Sequence, residues 1–338
     1  MFRDLFTPKS ETQSDLVKQT CSFVMHLARR TIPIMSTPQV GIIGGSGMND
    51  PHIFKNPIER RVQTIFGEPS DALIEGTVNN VPCVVLARHG RNHSIIPSDI
   101  NYRANIMALK EAGCTHILAT NACGGLQDYT QPGDLVILDQ FMDQTRGREQ
   151  SLYGGRGRHL DGVLHIPMAE PFCEETRKIL IEAARTCSLT VWDRQRDPTG
   201  PDRHPCVHTR GSSVTINGPR FSTRFESRLY RSWGLDLINM TLVPEVVLAR
   251  EAGLSYASVS IVTDYDCWKT GAESVSVHAV LDNFAHSVQK VTSLLVKTIE
   301  LIGRRDWTDL IRSNAQLVID NRQDLAHRMK KCDTDNTS

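Results

Sequence analysis

The chain has 338 residues, room for one large domain or two ordinary ones, and its 40% apolar and 22% charged content can bury a core. Lys+Arg and Asp+Glu both number 38, which excludes general attraction to nucleic acid or acidic membranes, and no run of about 18 apolar residues marks a membrane span. Nine scattered cysteines, an odd number without a CxxC pair, suit reduced thiols in an intracellular protein better than a disulfide framework.

Residues 1–38 read as a separate extension. Leu16, Val17, Phe23, Val24, Leu27 and Ala28 fit one short amphipathic helix, and Asp4, Glu11 and Asp15 argue against a transit peptide. Residues 39–43 are a short buried strand running into Gly44-Gly45-Ser46-Gly47. Such a turn can bring backbone N–H groups and a hydroxyl against an anion, or simply lead out of a strand. It has neither the GxGxxG spacing of dinucleotide folds nor the ending of a P-loop. Residues 82–87 form a second strand, ending in Arg88-His89-Gly90-Arg91-Asn92-His93. Two arginines and two histidines make an oxyanion receptor, because the guanidinium fork matches phosphate; the same residues also suit a solvated basic loop. A helix over 101–110 stops at Gly113.

Residues 115–120 are a third strand, feeding a Gly-rich turn at Asn121-Ala122-Cys123-Gly124-Gly125, and 134–139 are a fourth. Residues 141–170 are loop-rich and end in His165-Ile166-Pro167-Met168, before a helix over 174–186. The stretch 193–211, rich in Pro, Gly and charge, predicts an exposed insertion without regular structure. It holds His204-x-Cys206-x-His208, but a metal site wants a second ligand cluster, and none is visible in the sequence, so no metal is expected.

A strand at 214–216 precedes Asn217-Gly218-Pro219-Arg220-Phe221-Ser222 and a helix over 223–233. A strand over 235–241 ends in Asn-Met-Thr, and Pro244 opens a helix whose N-terminus suits an anion. Residues 254–262 read as a strand buried on both faces, ending in Thr263-Asp264-Tyr265-Asp266. In an extended chain Asp264 and Asp266 point the same way and can face one ligand; as a plain loop they would cap the next turn. Val277, Val280, Leu281, Phe284, Val288, Val291, Leu295, Ile299 and Ile302 then form one helical stripe, followed by a weaker amphipathic segment over 306–330. Strands ending in polar, Gly-rich loops and alternating with helices predict an α/β sheet with its site along one edge.

The six motifs around Ser46, Arg88, Asn121, Phe221, Met240 and Asp264 stand in the order of the trimeric purine nucleoside phosphorylases. The chain resembles that family over residues 39–310, and within it the 5′-methylthioadenosine branch. The resemblance implies one nucleoside phosphorylase domain over 39–330, a three-layer α/β/α fold around a mixed, partly barrelled sheet. Residues 1–38 and the 331–338 tail would lie outside it. It implies a homotrimer in the cytoplasm or nucleus, no cofactor, inorganic phosphate as co-substrate, and no nucleic-acid or membrane partner. The expected reaction is phosphorolysis of methylthioadenosine to adenine and 5-methylthioribose 1-phosphate, with adenosine also accepted.

The same resemblance assigns phosphate to Ser46, Arg88, His89, Asn121, Ala122 and Thr241. Met240 would line the ribose, Phe221 and Ser222 the purine, and Asp264 and Asp266 would read the base. Val277 and Val280 would face the 5′ substituent, joined by His165 of a neighbouring subunit. Asp264, His89 and Arg88 would carry the chemistry. Two positions depart from the branch, which usually carries Thr at Ser46 and Asn121. Asn121 resembles the 6-oxopurine branch, but that branch has Glu near Ser222 and Asn at Asp264. A 6-oxopurine phosphorylase and a non-catalytic purine or phosphate sensor are the alternatives. A dinucleotide oxidoreductase is disfavoured, because no GxGxxG with a downstream acidic residue appears.

Overall fold

A computed structural model describes residues 38–44, 54–154, 159–201, 204–270 and 277–323. The N-terminal extension up to residue 37, Ser46 and the 331–338 tail lie outside these. Among the described residues the strands are β1 (Val40–Gly44), β2 (Lys55–Arg60), β3 (Leu73–Val78), β4 (Val81–Ala87), β5 (His116–Gly125), β6 (Leu135–Ile137), β7 (Gln140–Gln144), β8 (Val191–Trp192), β9 (Val207–His208), β10 (Ser212–Ile216), β11 (Leu237–Asn239) and β12 (Ser255–Asp264). The helices are α1 (Tyr102–Glu111), α2 (Glu174–Thr186), α3 (Arg224–Ser232), α4 (Leu242–Glu251), α5 (Val277–Gly303) and α6 (Thr308–Asp320).

The strands join in one mixed sheet of order β2-β3-β4-β1-β5-β12-β6-β9-β8. Its centre, β4, β1, β5 and β12, is parallel, so these four strands end on the same edge. At its far end β5 also pairs antiparallel with β11, Gly124 opposite Ile238 and Gly125 opposite Leu237. Strand β11 carries β10 and β7 as a second arm. Glycine at the fork is a packing necessity. A Cβ on Gly125 would lie 2.6 Å from the Thr130 carbonyl, and one on Gly124 3.0 Å from the Asp264 carboxylate.

Period-2 alternation divides the central strands between two apolar layers. Ile43, Val84, Leu86 and Tyr256 pack with α1 and α4 through Ile106, Leu109, Leu242 and Val246. Val40, Ile42, Val85, Val259 and Ile261 pack with α2 and α5 through Ile179, Leu180, Phe284, Val291 and Leu295. Every position of β12 before Asp264 is buried, as its run of small, β-branched and apolar residues predicts. The helix ends are set locally. The Asn101 side chain accepts from the Ala104 N–H at the start of α1, and Thr223 and Glu226 form a reciprocal capping box on α3.

Several sequence expectations change. Asn121 and Ala122 are not a turn: β5 runs straight through them to Gly125. The insertion 193–211 is not wholly irregular or exposed. Val207–His208 is a strand, and Cys206, Val207, His208 and Thr209 are buried, because β9 pairs parallel with β6. The loop-rich region 141–170 begins inside β7, and the strand expected over 235–241 ends at Asn239.

Candidate active site

Where the parallel strands end beside β11, the edge encloses a cavity of about 400 Å³. Arg88 and His89 follow β4, Asn121 and Ala122 belong to β5, and Met240 and Thr241 follow β11. Asp264 ends β12, Asp266 follows it, and Val280 comes from the first turn of α5. All of these line the cavity, with Phe221 and Ser222 from the loop before α3. The Arg88 N–H donates to the Gly44 carbonyl at 3.1 Å, which ties the end of β1 to the same edge. Three expected residues are not placed in the cavity, one of them Ser46, which lies outside the described residues. His165 lies on an exposed loop whose N–H donates to the Asn321 carbonyl, and Val277 opens α5 with its side chain outside the described residues.

The anion end differs in detail from its sequence reading. Arg88 is 1% exposed and donates through Nε and Nη2 to both oxygens of Glu245, at 2.7 and 2.9 Å, and through Nη1 to the Thr120 carbonyl at 2.8 Å. Burial opposes its charge, but the Glu245 carboxylate outweighs burial and holds the guanidinium firmly ionised. Glu245 is itself fully buried and accepts from the Tyr256 hydroxyl at 2.8 Å. Three of the five guanidinium N–H groups are thus occupied and two remain. Arg91, expected beside it, turns outward and is taken up by Asp71 and Glu59.

His89 is not a cation. Burial, then the neighbouring Arg88 and His93, lower its pKa to about 4 against the bond to Ile95. Its Nδ1 lies 2.8 Å from the Ile95 carbonyl, which can only accept, so Nδ1 carries the hydrogen and Nε2 keeps its lone pair. The Asn121 side chain turns toward β12, where its Oδ1 accepts from Ser260 at 2.8 Å and its amide reaches Ser258 at 3.3 Å. The N–H groups of Thr241 and Leu242, which a free helix N-terminus would offer to an anion, both donate to Asn239 Oδ1 at 2.9 Å. The Thr241 side chain makes no cap hydrogen bond.

At the other end the two carboxylates do face one space, through a turn and not an extended pair. Asp266 has φ +48°, and its N–H donates to Asp264 Oδ1 at 2.7 Å. Thr263 donates to Asp264 Oδ2 at 2.8 Å. Burial nevertheless raises the Asp264 pKa to about 6, helped by the nearby Asp266 charge. Asp266 is raised too, again by burial, against the neighbouring Ser227 and Ser222 hydroxyls. Asp266 Oδ2 and Ser222 Oγ are buried without a hydrogen-bond partner, and both residues line the cavity. The Ser222 and Ser227 hydroxyls neighbour the Asp266 carboxylate and oppose the rise in its pKa, so Asp266 and Ser222 face each other as well as the cavity.

The remaining wall is apolar. Val280, Leu281 and Phe284 of α5 line it, as do Ile95, Ile96 and Pro97 from the loop after Arg88. Sequence reading did not single out that loop, because its apolar residues carry no chemistry of their own. It also gave Glu245 no role, although this residue follows the helix-opening Pro244; a carboxylate inside a buried helix pattern was the available signal.

A model of the phosphorylase superfamily matches residues 39–300. The chain belongs to that superfamily. It is 52% identical over 276 residues to the S-methyl-5′-thioadenosine phosphorylase of Xenopus tropicalis, a match covering 81% of this chain and 92% of that protein. Among solved phosphorylases, the methylthioadenosine phosphorylase of Schistosoma mansoni in complex with adenine is 59% identical, with TM-score 0.83, over 86% of this chain and 100% of that one. A point variant of the adenosine/methylthioadenosine phosphorylase of the same organism, bound to methylthioadenosine, is 58% identical with TM-score 0.82 over the same shares. The mixed α/β fold of this chain is the fold of those phosphorylases. Among the described residues, no helix is long and apolar enough to cross a membrane.

Proposed function

We propose that the chain catalyses phosphorolysis of 5′-methylthioadenosine, giving adenine and 5-methylthioribose 1-phosphate, and that it also accepts adenosine. The observation that carries this reading is Asp264, a carboxyl whose pKa burial raises to about 6, beside the unpartnered Asp266 Oδ2 at one end of a cavity whose other end is Arg88, His89 and Thr241. A phosphate oxygen bonds to the anomeric carbon as the carbon–nitrogen bond breaks. The bonding pair leaves with the purine, and the purine ring nitrogen takes a proton from Asp264. The balance needs phosphate and a proton donor alone, so inorganic phosphate enters as co-substrate.

The residues supply position and electrostatics. Arg88 offers its two remaining N–H groups to phosphate, and neutral His89 accepts a phosphate hydroxyl at Nε2. Protonated Asp264 donates to the purine nitrogen, while Asp266 orients the exocyclic amino group. Val280, Leu281 and Phe284 take the methylthio group, an apolar fit that discriminates against a 5′-hydroxyl by only about 1–3 kcal/mol. Asn321 and Gln323 run beside the His165 loop, with the Gln323 N–H donating to the Val163 carbonyl. A polar segment there favours tolerance of adenosine. In this reading the subunit is part of a homotrimer, with the His165 loop reaching a neighbour's 5′ pocket. The exposed apolar side chains Ile96, Phe221 and Leu281 at the cavity support it. Scattered thiols support an intracellular location.

The test is a panel of methylthioadenosine, adenosine, inosine and guanosine, each with and without phosphate, scored by free base released. Phosphate-dependent release of adenine, fastest from methylthioadenosine, is expected. Release of hypoxanthine or guanine instead assigns the site to 6-oxopurines, and no release in any arm leaves a binding protein.

A further inference from the structure

The motif His204-x-Cys206-x-His208 lacks a second ligand cluster in the sequence, but the fold supplies one from about seventy residues away. Strand β9 pairs parallel with β6, Leu135 opposite Val207 and Val136 opposite His208, which brings Asp134 level with Cys206. The side chains of 204, 206 and 208 all lie against Asp134. Asp134 Oδ1 lies 2.8 Å from His204 Nδ1, and Asp134 Oδ2 lies 2.9 Å from His208 Nε2. Cys206 Sγ lies 3.5 Å from His208 Nε2 and 3.8 Å from His204 Nδ1. Asp134, Cys206 and His208 are buried, at 0, 2 and 4% exposure for residue or side chain, and His204 is 22% exposed.

Hydrogen bonds pair the carboxylate with both histidines, and the thiol is left with only weak contacts. The same nitrogen of His208 meets both the carboxylate and the thiol, and one N–H serves one of them well. The distances fit a cation. With Zn–S of about 2.3 Å and Zn–N of about 2.0 Å, a tetrahedron has N···S edges of about 3.5 Å and N···O edges of about 3.3 Å. The Cys206–His208 edge is already at that length, the His208–Asp134 edge needs to open by about half an ångström, and His204, which lies outside the group of ligand atoms within 4.8 Å of one another, has to turn in.

We propose that Asp134, Cys206 and His208 form the core of a structural zinc site, which His204 completes by turning in as the fourth ligand. Thiolate with imidazole selects Zn²⁺ over the hard cations Mg²⁺ and Ca²⁺. On binding, the Cys206 thiol loses its proton to solvent, and each ligating imidazole nitrogen turns from donor to acceptor. Thiolate and carboxylate then cancel the charge of the ion, so no net charge is buried. Without metal, ionised Asp134 has Lys290 as its nearby counter-charge, the ammonium held by the Gly133 carbonyl at 2.5 Å. The site pins the insertion to the main sheet at an edge where β8 and β9 have only two residues each. His208 also lines a second cavity with Tyr129, Trp192 and Arg194, an entry route from solvent. None of the four ligands lines the cavity that holds Asp264.

The experiment uses the full chain, purified reduced and without chelator after growth with added zinc. Elemental analysis is expected to find about one Zn²⁺ per chain. Replacement by Co²⁺ is expected to give a thiolate-to-cobalt charge-transfer band with the visible bands of a tetrahedral ion. Cys206→Ser is expected to lose that band. His204→Ala, a change at a partly exposed position, is expected to weaken Co²⁺ binding tenfold or more while the fold is kept. The second variant decides the matter if Cys206→Ser does not fold. No band at saturating Co²⁺ in the wild-type chain overturns the site. A band of equal strength in Cys206→Ser, arising from another thiol, overturns it as well, and so does unchanged affinity in His204→Ala.

Discussion

Asp264 does two things that oppose each other. Burial raises its pKa to about 6, which makes it an acid near neutrality and also makes its charged form costly. Asp264→Asn keeps the size but cannot give up a proton. Turnover of methylthioadenosine should fall by ~10²–10⁴, the usual range for losing a general acid, while relative activity on inosine rises because the amide can donate to a 6-oxo group. Near-full adenine release by this variant, with Asp266→Asn inactive, would move the acid to Asp266. The pH dependence has a definite sign. The acid form is lost above about pH 6, so kcat/KM for methylthioadenosine should decline on the alkaline side with an apparent pKa near that value. In stability, a carboxyl raised above its unfolded value favours the native state fully below its ordinary 3.8, and that contribution is lost as pH rises through about 6. Relative to wild type, Asp264→Asn should therefore gain stability between pH 4 and pH 8, by at most about 3 kcal/mol. Urea unfolding at the two pH values measures it, and a constant difference would show that the carboxyl is not raised.

At the scale of elements, the site is a meeting of strand ends, and the ion pair between the residue after β4 and the first turn of α4 holds two of them together. Arg88→Ala strands a buried carboxylate, which typically costs about 3–5 kcal/mol. It should raise the KM for phosphate at least tenfold and lower the melting temperature. Adding Glu245→Gln should restore much of the stability and none of the phosphate affinity. Recovery of both would mean that Arg88 only props up the fold. Most strands and helices around the site were legible, because a run of small, β-branched and apolar residues such as 254–262 or a 3.6-residue stripe such as that of α5 has few other readings. The start of that stripe serves both sides: Val280, Leu281 and Phe284 line the cavity, as expected for Val280, while Phe284 also packs into the core with Val291 and Leu295. Strand β2 was not legible, since all six of its residues are exposed and show no alternation. Strands β8 and β9 are too short to carry a period. Among site residues, those carrying a functional group at a strand end were found. What the sequence could not give was the partner of each: Glu245 for Arg88, Ser258 and Ser260 for Asn121, Asn239 for the helix N–H groups.

For the whole molecule, the proposal of a shared 5′ pocket predicts a trimer. Sedimentation equilibrium of the active chain should give about three times the 37.8 kDa chain mass. A monomeric mass with full activity would remove the neighbour's His165 from the pocket. The Arg88–Glu245 pair has a further consequence at this scale. Formal charge over the chain sums to zero. Among the described residues lining the anion end, the one firmly charged cation is matched by a carboxylate that itself never meets solvent. Phosphate is then captured by short-range dipoles and two spare N–H groups, with little field reaching out into solution. Ions in the medium have little there to screen, since the Debye length acts on exposed charges and barely on buried pairs. Raising potassium chloride from about 0.01 to 0.5 M should thus leave the KM for phosphate within about twofold, and a fall in apparent affinity by an order of magnitude would reveal a long-range attraction that this arrangement does not provide.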